Sequence, residues 1–239
     1  VWLIMRTYSQ NRDRIAEYFN KTGFQAWEAL TTETPVSKIR LKVRESREKM
    51  RSRMLLHLPS DLSGKRILDA GCGAGQFSIE LALRGANVLG IDISSNLIEI
   101  AKKRLPQNLK ENTKFITTDM MQNHGSFDYV ILMDSLIHYP EKDTVNILKN
   151  LLKNTNEKIL FTLVPSKFIL TLKLMIGRLF PKSDRSPNLS PLNTKSFIEK
   201  YGDKFEREYS ATVARISKVD DFFYTSEFLE LRKWLFLKN

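Results

Sequence analysis

Ile67-Leu68-Asp69-Ala70-Gly71-Cys72-Gly73-Ala74-Gly75-Gln76 is the stretch on which the reading of this chain turns. It has the pattern of a short buried strand, a glycine-rich turn and the first residue of a helix. Glycines stand at 71, 73 and 75. Glycine permits φ > 0 and lets a ligand approach the backbone without meeting a Cβ. A turn between a strand and a helix aims backbone N–H groups at whatever binds there. The dinucleotide fingerprint G-x-G-x-x-G would need its third glycine at 76, and Gln76 stands there. Asp69, two residues upstream of the turn, suits a ligand that carries positive charge better than it suits a pyrophosphate.

Outward from the turn the chain alternates between strands and helices. Arg66–Ala70 reads as the first strand and Gln76–Arg84 as a helix with Gly85 as its C′ residue. Asn87–Asp92 is a second strand, and Ser94 or Ser95 caps a helix over Asn96–Leu105 that Pro106 stops. Lys114–Thr118, Phe127–Asp134 and Lys158–Val164 read as further strands, with a helix over Glu141–Lys153. Such alternation implies a parallel sheet covered on both faces. Beyond it the pattern predicts an apolar helix over Ser166–Phe180, a Pro/Ser-rich loop, and a short helix over Asn193–Tyr201. Two closing strands follow, over Phe205–Ile216 and Phe222–Leu231. Upstream, residues 11–57 look helical, with Asn11-Arg12-Asp13 as a cap. Ile39-Leu41-Val43 also alternates as a strand would. The division expected is a helical lid or extension over 1–60 and a larger domain over 61–239, with a substrate-side insertion at about 166–192.

The 239 residues carry a net charge of +11 and are 42% apolar, enough for one large domain with a real core. Cys72 is the sole cysteine, which excludes an intramolecular disulfide. It reads as a small side chain fitting the turn, not as a nucleophile. His57, His124 and His138 are too widely spaced for a metal site, so no bound metal is expected. The opening run Val1-Trp2-Leu3-Ile4-Met5 is too short for a secretory signal, and a first residue other than Met suggests an alternative start or trimming. The longest apolar stretch, Phe168 to Phe180, is too short to span a bilayer and is broken by Lys173 and Arg178. A soluble, cytoplasmic or peripheral protein is expected. The basic excess fits nucleic acid, an anionic membrane surface or an acidic substrate, and fits equally a lysine-rich solvated surface.

Carboxylates recur where a nucleoside would need them. Asp92 ends the second strand about twenty residues after the turn, where it can accept both ribose hydroxyls; Ile93 follows it. An ordinary helix cap before Ser94 is the competing reading. Asp119 follows the third strand, placed for an adenine amino group, with Met120 to pack on the ring; a turn aspartate is the alternative. Asp134 ends the fourth strand and faces the same crevice. Asp69, Gly71, Gly73, Gly75, Asp92, Ile93, Asp119, Met120 and Asp134 form an ordered set with the spacing of a cofactor site. The set resembles that of class I S-adenosylmethionine (SAM) methyltransferases. That resemblance implies an α/β, Rossmann-like fold: a mostly parallel seven-stranded sheet with helices on both faces. After the fourth strand there is no Asn/Asp-Pro-Pro-aromatic run, and a cytosine-type covalent mechanism would need a second cysteine. His138 and Tyr139 are the polar groups near the acceptor position, and a lone histidine is as often structural.

Four motifs carry a more specific resemblance: Tyr18-Phe19-Asn20 with Gly23-Phe24 and Trp27, the glycine turn, Leu136-Ile137-His138-Tyr139-Pro140, and Phe180-Pro181-Lys182-Ser183-Asp184-Arg185-Ser186-Pro187. Together they resemble the magnesium-protoporphyrin IX O-methyltransferases, over about residues 13–232. The chain departs from the family's habit at Ala26 and at Leu30-Thr31-Thr32. The resemblance implies methyl transfer from SAM to one propionate of magnesium-protoporphyrin IX in (bacterio)chlorophyll biosynthesis, with magnesium present only as part of the substrate. It implies catalytic roles for His138 and Tyr18, and substrate contacts at Phe24, Trp27, Tyr139 and Arg185. It further implies contact with the large subunit of magnesium chelatase and a peripheral membrane contact, without nucleic acid. Methylation of another small acid or quinone, and an RNA-binding methyltransferase-like protein, are the competing readings.

Overall fold

A computed structural model describes residues 6–21, 23, 37–166 and 189–234. Helices α1 (Tyr8–Lys21) and α2 (Lys38–Leu55) come first. There follow β1 (Arg66–Ala70), α3 (Gln76–Leu83), β2 (Asn87–Asp92), α4 (Ser95–Arg104), β3 (Thr113–Thr117), β4 (Phe127–Leu132), α5 (Glu141–Leu152) and β5 (Thr155–Leu163). The described chain closes with α6 (Thr194–Tyr209), β6 (Ala211–Asp220) and β7 (Thr225–Lys233).

The strands form a seven-stranded sheet in the order β3-β2-β1-β4-β5-β7-β6. β1 to β5 run parallel, and β7 is antiparallel to both β5 and β6. Strand order reverses between β1 and β4, and a crevice opens at such a switch point beyond the carboxyl ends of the strands. The central strands are buried on both faces. Leu68, Ala70, Val130 and Leu132 belong to one core, while Ile67, Tyr129 and Ile131 belong to the other. Unbroken apolar runs, rather than alternation, are what two-sided burial demands.

Local chemistry sets most boundaries. Ser37 caps α2, its hydroxyl accepting from the Arg40 N–H. This resolves the Ile39-Leu41-Val43 stretch as helix. Ser94 caps α4 by accepting from the Leu97 N–H at 3.3 Å. Asn193 caps α6, accepting from the Ser196 N–H at 3.1 Å.

Three expectations are corrected. Asn11 is not a cap: α1 begins at Tyr8, and the Asn11 side chain is buried and donates to Asp143 at 3.0 Å. β4 stops at Leu132 rather than Asp134, because Asp134 takes φ +55 and turns the chain out of the sheet. The short helix ending at Tyr201 runs on to Tyr209, so Phe205 lies on a helix and β6 starts at Ala211. Phe197, Tyr201 and Phe205 recur every four residues on one face, and Phe197 and Phe205 are fully buried. Their helical period outweighs the helix-weakening Gly202. The apolar stretch 167–180 lies outside the described residues.

α1 rests on the end of the sheet where the crevice opens. Its Ile15 and Phe19 are buried in the same core as Leu68 and Val130. Asn20, at its end, accepts from the Ser94 hydroxyl at 2.8 Å. α2 lies against β6 and β7 on the other side of the crevice.

Candidate active site

β1 delivers the chain into the glycine turn at the switch point. The Gly71 and Cys72 N–H groups both donate to the Ile91 carbonyl, at 2.8 and 2.9 Å, which ties the turn to β2. Gly71 has φ +84, and a Cβ there would lie 2.4 Å from the Ser135 Cβ. Gly75, at φ +80, begins α3 without a side-chain cap. A Cβ on it would meet Phe115 at 2.8 Å.

The carboxylates set the electrostatics. Asp69 is 2% exposed and accepts from the Ser78 hydroxyl at 2.6 Å. Burial pushes its carboxyl up to about 7. Such a group gains from a cationic partner, because an opposite charge offsets the cost of its own ionisation. Asp92 accepts from the Gly73 N–H and the Ser94 N–H, each at 2.9 Å. It thereby locks the glycine turn to the start of α4. Burial raises its carboxyl above the usual range against the pull of those backbone donors. The helix cap proper is Ser94, not Asp92. Cys72 is buried, and burial drives its thiol well up, which removes nucleophilic character.

Asp69, Gly71, Gly73, Asp92, Ile93, Met120, Asp134, His138 and Tyr139 all line one cleft of about 870 Å³, its mouth included. Asp119 stands behind this wall. Its carboxylate accepts from the Tyr8 hydroxyl at 2.5 Å, from Arg12 at 3.0 Å and from the Met121 N–H at 2.9 Å. It therefore pins α1 over the cleft, while Met120 beside it supplies apolar wall. Tyr8 also stacks on Tyr139, ring centroids 5.5 Å apart.

After Asp134 the chain crosses Gly71 at Ser135 and makes a single 3-10 turn, Leu136–His138. The turn carries His138 into the cleft, 3% exposed and edge-on to Phe19 at 5.7 Å. Tyr18 is half-buried, edge-on to Phe19 at 5.1 Å, and lies against Gly23 rather than along the cleft wall. Phe24, Trp27 and Arg185 lie outside the described residues.

Residues 132–233 match the family model described as the C-terminus of magnesium-protoporphyrin IX methyltransferase, and residues 67–158 match a general methyltransferase domain. The chain is 44% identical to the magnesium-protoporphyrin O-methyltransferase of Rhodobacter capsulatus, across 94% of this chain and 98% of that protein. The chain belongs to the magnesium-protoporphyrin O-methyltransferase family. The chloroplastic magnesium protoporphyrin IX methyltransferase of Arabidopsis thaliana is 30% identical over 92% of this chain and 70% of its own length. Among solved structures, magnesium protoporphyrin IX methyltransferase from Synechocystis PCC 6803 with bound SAH superposes with a TM-score of 0.77. Its identity is 27%, covering 94% of this chain and 100% of that one. The strand order and the glycine turn are thus those of a class I SAM methyltransferase.

Several cleft residues of this family member were not singled out by sequence. Arg47 and Arg51 sit in a basic run that reads as a solvated face, yet both line the cleft. Arg51 is bound by Glu48 and, at 2.6 Å, by Glu80. Arg47 donates through Nε to Asp134 at 2.9 Å. The signal available was their spacing: 47 and 51 fall four apart and flank Met50, on the buried side of the helix. Tyr224 carried no local signal, and its hydroxyl donates to Asp134 at 2.9 Å.

Proposed function

We propose that this protein transfers a methyl group from SAM to a propionate carboxylate of magnesium-protoporphyrin IX, giving the monomethyl ester in (bacterio)chlorophyll biosynthesis. The observation that carries the reading is a single cleft with two kinds of wall. On the β1–β2 side stand the glycine turn, buried Asp69 and Asp92. At the end of β4 stand Asp134, His138 and Tyr139. The first set fits the methyl donor: Gly71 leaves a Cβ-free cradle, and Asp69 awaits a positive charge. Asp92 would take the ribose and Met120 the adenine ring. SAM supplies an electrophilic methyl group. A propionate is ionised at neutral pH, so no protein group has to remove a proton. The chain's contribution is orientation and exclusion of water, both of which lower the barrier for transfer between opposite charges.

His138 and Tyr18 are read as the acceptor-side pair. Burial of His138 under Phe19 supports a role in orienting the carboxylate or the macrocycle; axial contact with the substrate's magnesium is the second reading. Tyr139, Phe24, Trp27 and Arg185 are read as contacts to the macrocycle. The segment 1–60 is read as a lid over the 61–239 domain, which the seating of α1 by Asn20, Asp119 and Asp143 supports. No helix among the described residues is long and apolar enough to cross a membrane. The net charge of +11 supports a cytoplasmic protein in peripheral contact with an anionic membrane surface. Delivery from the large subunit of magnesium chelatase is supported by chemistry: metal insertion yields this substrate.

Incubation with SAM and magnesium-protoporphyrin IX, followed by chromatography of the pigments, tests the reading. The monomethyl ester should form together with S-adenosylhomocysteine. Faster methylation of metal-free protoporphyrin, or of a quinone precursor, would overturn the substrate assignment.

A further inference from the structure

Asp134 sits in an unusual setting. It is a non-glycine residue at φ +55, with a side chain 2% exposed, on the wall of the cleft. Three elements hold its carboxylate. Arg47 Nε of α2 donates to Oδ2 at 2.9 Å, the Tyr224 hydroxyl to Oδ1 at 2.9 Å, and the Thr162 hydroxyl of β5 to Oδ1 at 3.3 Å. Its own N–H donates to Thr162 Oγ1 at 2.8 Å. A left-handed conformation at a non-glycine residue costs of order 1–3 kcal/mol and persists only where the surroundings over-determine it.

We propose that Arg47 holds the carboxylate that accepts the methyl group, and that Asp134 is the positioning residue that aims its guanidinium. The inference rests on the acceptor being a carboxylate. Three observations carry it. The first is charge: the cleft wall presents Asp69, Asp92 and Asp134, and an anionic acceptor entering it needs a cation. Among the described residues Arg47 and Arg51 are the cations of that wall; Arg51 is paired with Glu48 and Glu80 on the α3 side, and Arg47 with Asp134. The second is place. The ribose and glycine-turn groups lie on β1 and β2, whereas Arg47 is bonded to Asp134 in the loop after β4, whose carboxylate is also held by Thr162 of β5 and Tyr224 of the β6–β7 turn. Arg47 therefore stands on the half of the crevice that carries His138, away from the donor's nucleoside. The third is chemistry. A guanidinium presents five N–H donors along more than one edge and can serve two carboxylates at once, which an ammonium does less well. Asp134 takes the Nε, and that contact sets the plane in which the guanidinium meets an entering propionate.

The test compares the full-length wild type with R47Q, R47K and the R47Q/D134N double variant. Calorimetry reads SAM affinity, and initial rates read the KM for magnesium-protoporphyrin IX. Titration of the Soret band compares the free diacid with its dimethyl ester. R47Q should leave SAM affinity close to wild type, raise the porphyrin KM by about tenfold or more, and abolish the preference for diacid over diester. R47K should fall between. R47Q leaves Asp134 buried without its cation and so loses stability. The double variant removes both charges, and should regain thermal stability while its porphyrin KM stays raised. Recovery of KM together with stability would reduce Arg47 to a structural role. A parallel loss of SAM affinity in R47Q would place Arg47 at the donor's amino-acid end. An unaltered diacid preference in R47K or R47Q would equally overturn the inference. If the wild type itself fails to methylate the porphyrin while binding SAM, the proposed substrate falls first.

Discussion

Gly71 and Ser135 approach so closely that no side chain fits between them: a Cβ at 71 would lie 2.4 Å from the Ser135 Cβ. The contact joins the glycine turn after β1 to the loop after β4, so the two walls of the cleft share one joint. Gly71→Ala should break it twice, by collision and by the strain of alanine at φ +84. SAM affinity and turnover should both fall by about tenfold or more, with a lower melting temperature. Calorimetry and thermal unfolding check this, and wild-type SAM affinity in the variant would refute it.

Asp92 is bonded to the N–H groups of Gly73 and Ser94. Asp92→Ala therefore removes the proposed ribose acceptor and loosens the turn together. The expected outcome is a SAM affinity weaker by about tenfold, with kcat at saturating SAM less affected. Asp92→Asn, which keeps an acceptor oxygen, should lose less. Equal losses in the two variants would contradict the acceptor role.

His138 is set into the cleft by the 3-10 turn and packs on Phe19. His138→Ala should leave SAM affinity near wild type while kcat drops by about tenfold, or about 1.4 kcal/mol. A titration with SAM beside single-turnover rates separates the two effects. Loss of SAM binding would move His138 off the acceptor side.

The Asp69 carboxyl, pushed up to about 7 by burial, makes the ligand-free protein pH-sensitive. A carboxyl in the unfolded chain titrates near about 4, so the folded protein binds this proton more tightly. The stability contributed is fully present below about pH 4 and is lost as pH rises through about 7. Asp92, also raised by burial, acts in the same direction. A cationic ligand favours ionised Asp69, so SAM affinity should rise across the same window and level off above it. Melting curves with and without SAM between pH 5 and 8 check this, beside Asp69→Asn. A decline of equal slope in that variant would exclude Asp69 as the source.

The glycine turn and the aspartate at the end of β2 were legible in sequence because these parts are local. A strand, a glycine turn, a helix and an aspartate at the next strand end are separated by few residues, and their spacing is fixed by the repeat itself. Local pattern failed where two local signals competed. Phe205 was read into the strand that follows, yet it continues the helical face of Phe197 and Tyr201, and burial of both phenylalanines decides the matter. Asp119 looked like a ligand group because it follows a strand, yet its oxygens face Tyr8 and Arg12 of α1. Nothing within ten residues of Asp119 encodes that.

By itself the sequence determined the sheet and the class of donor. Apolar periodicity records which face of each element is buried, and the glycines record where the backbone must turn left-handed. The tertiary structure decided which charges meet. Arg47, Asp134 and Tyr224 are strangers in sequence and reach one another across 87 and 90 residues. The order β1-β4-β5-β7 lays their carriers side by side at one end of the sheet. A positive φ at Asp134 then turns its carboxylate between them. Partners at such separations are selected by packing, and packing leaves no period in the chain.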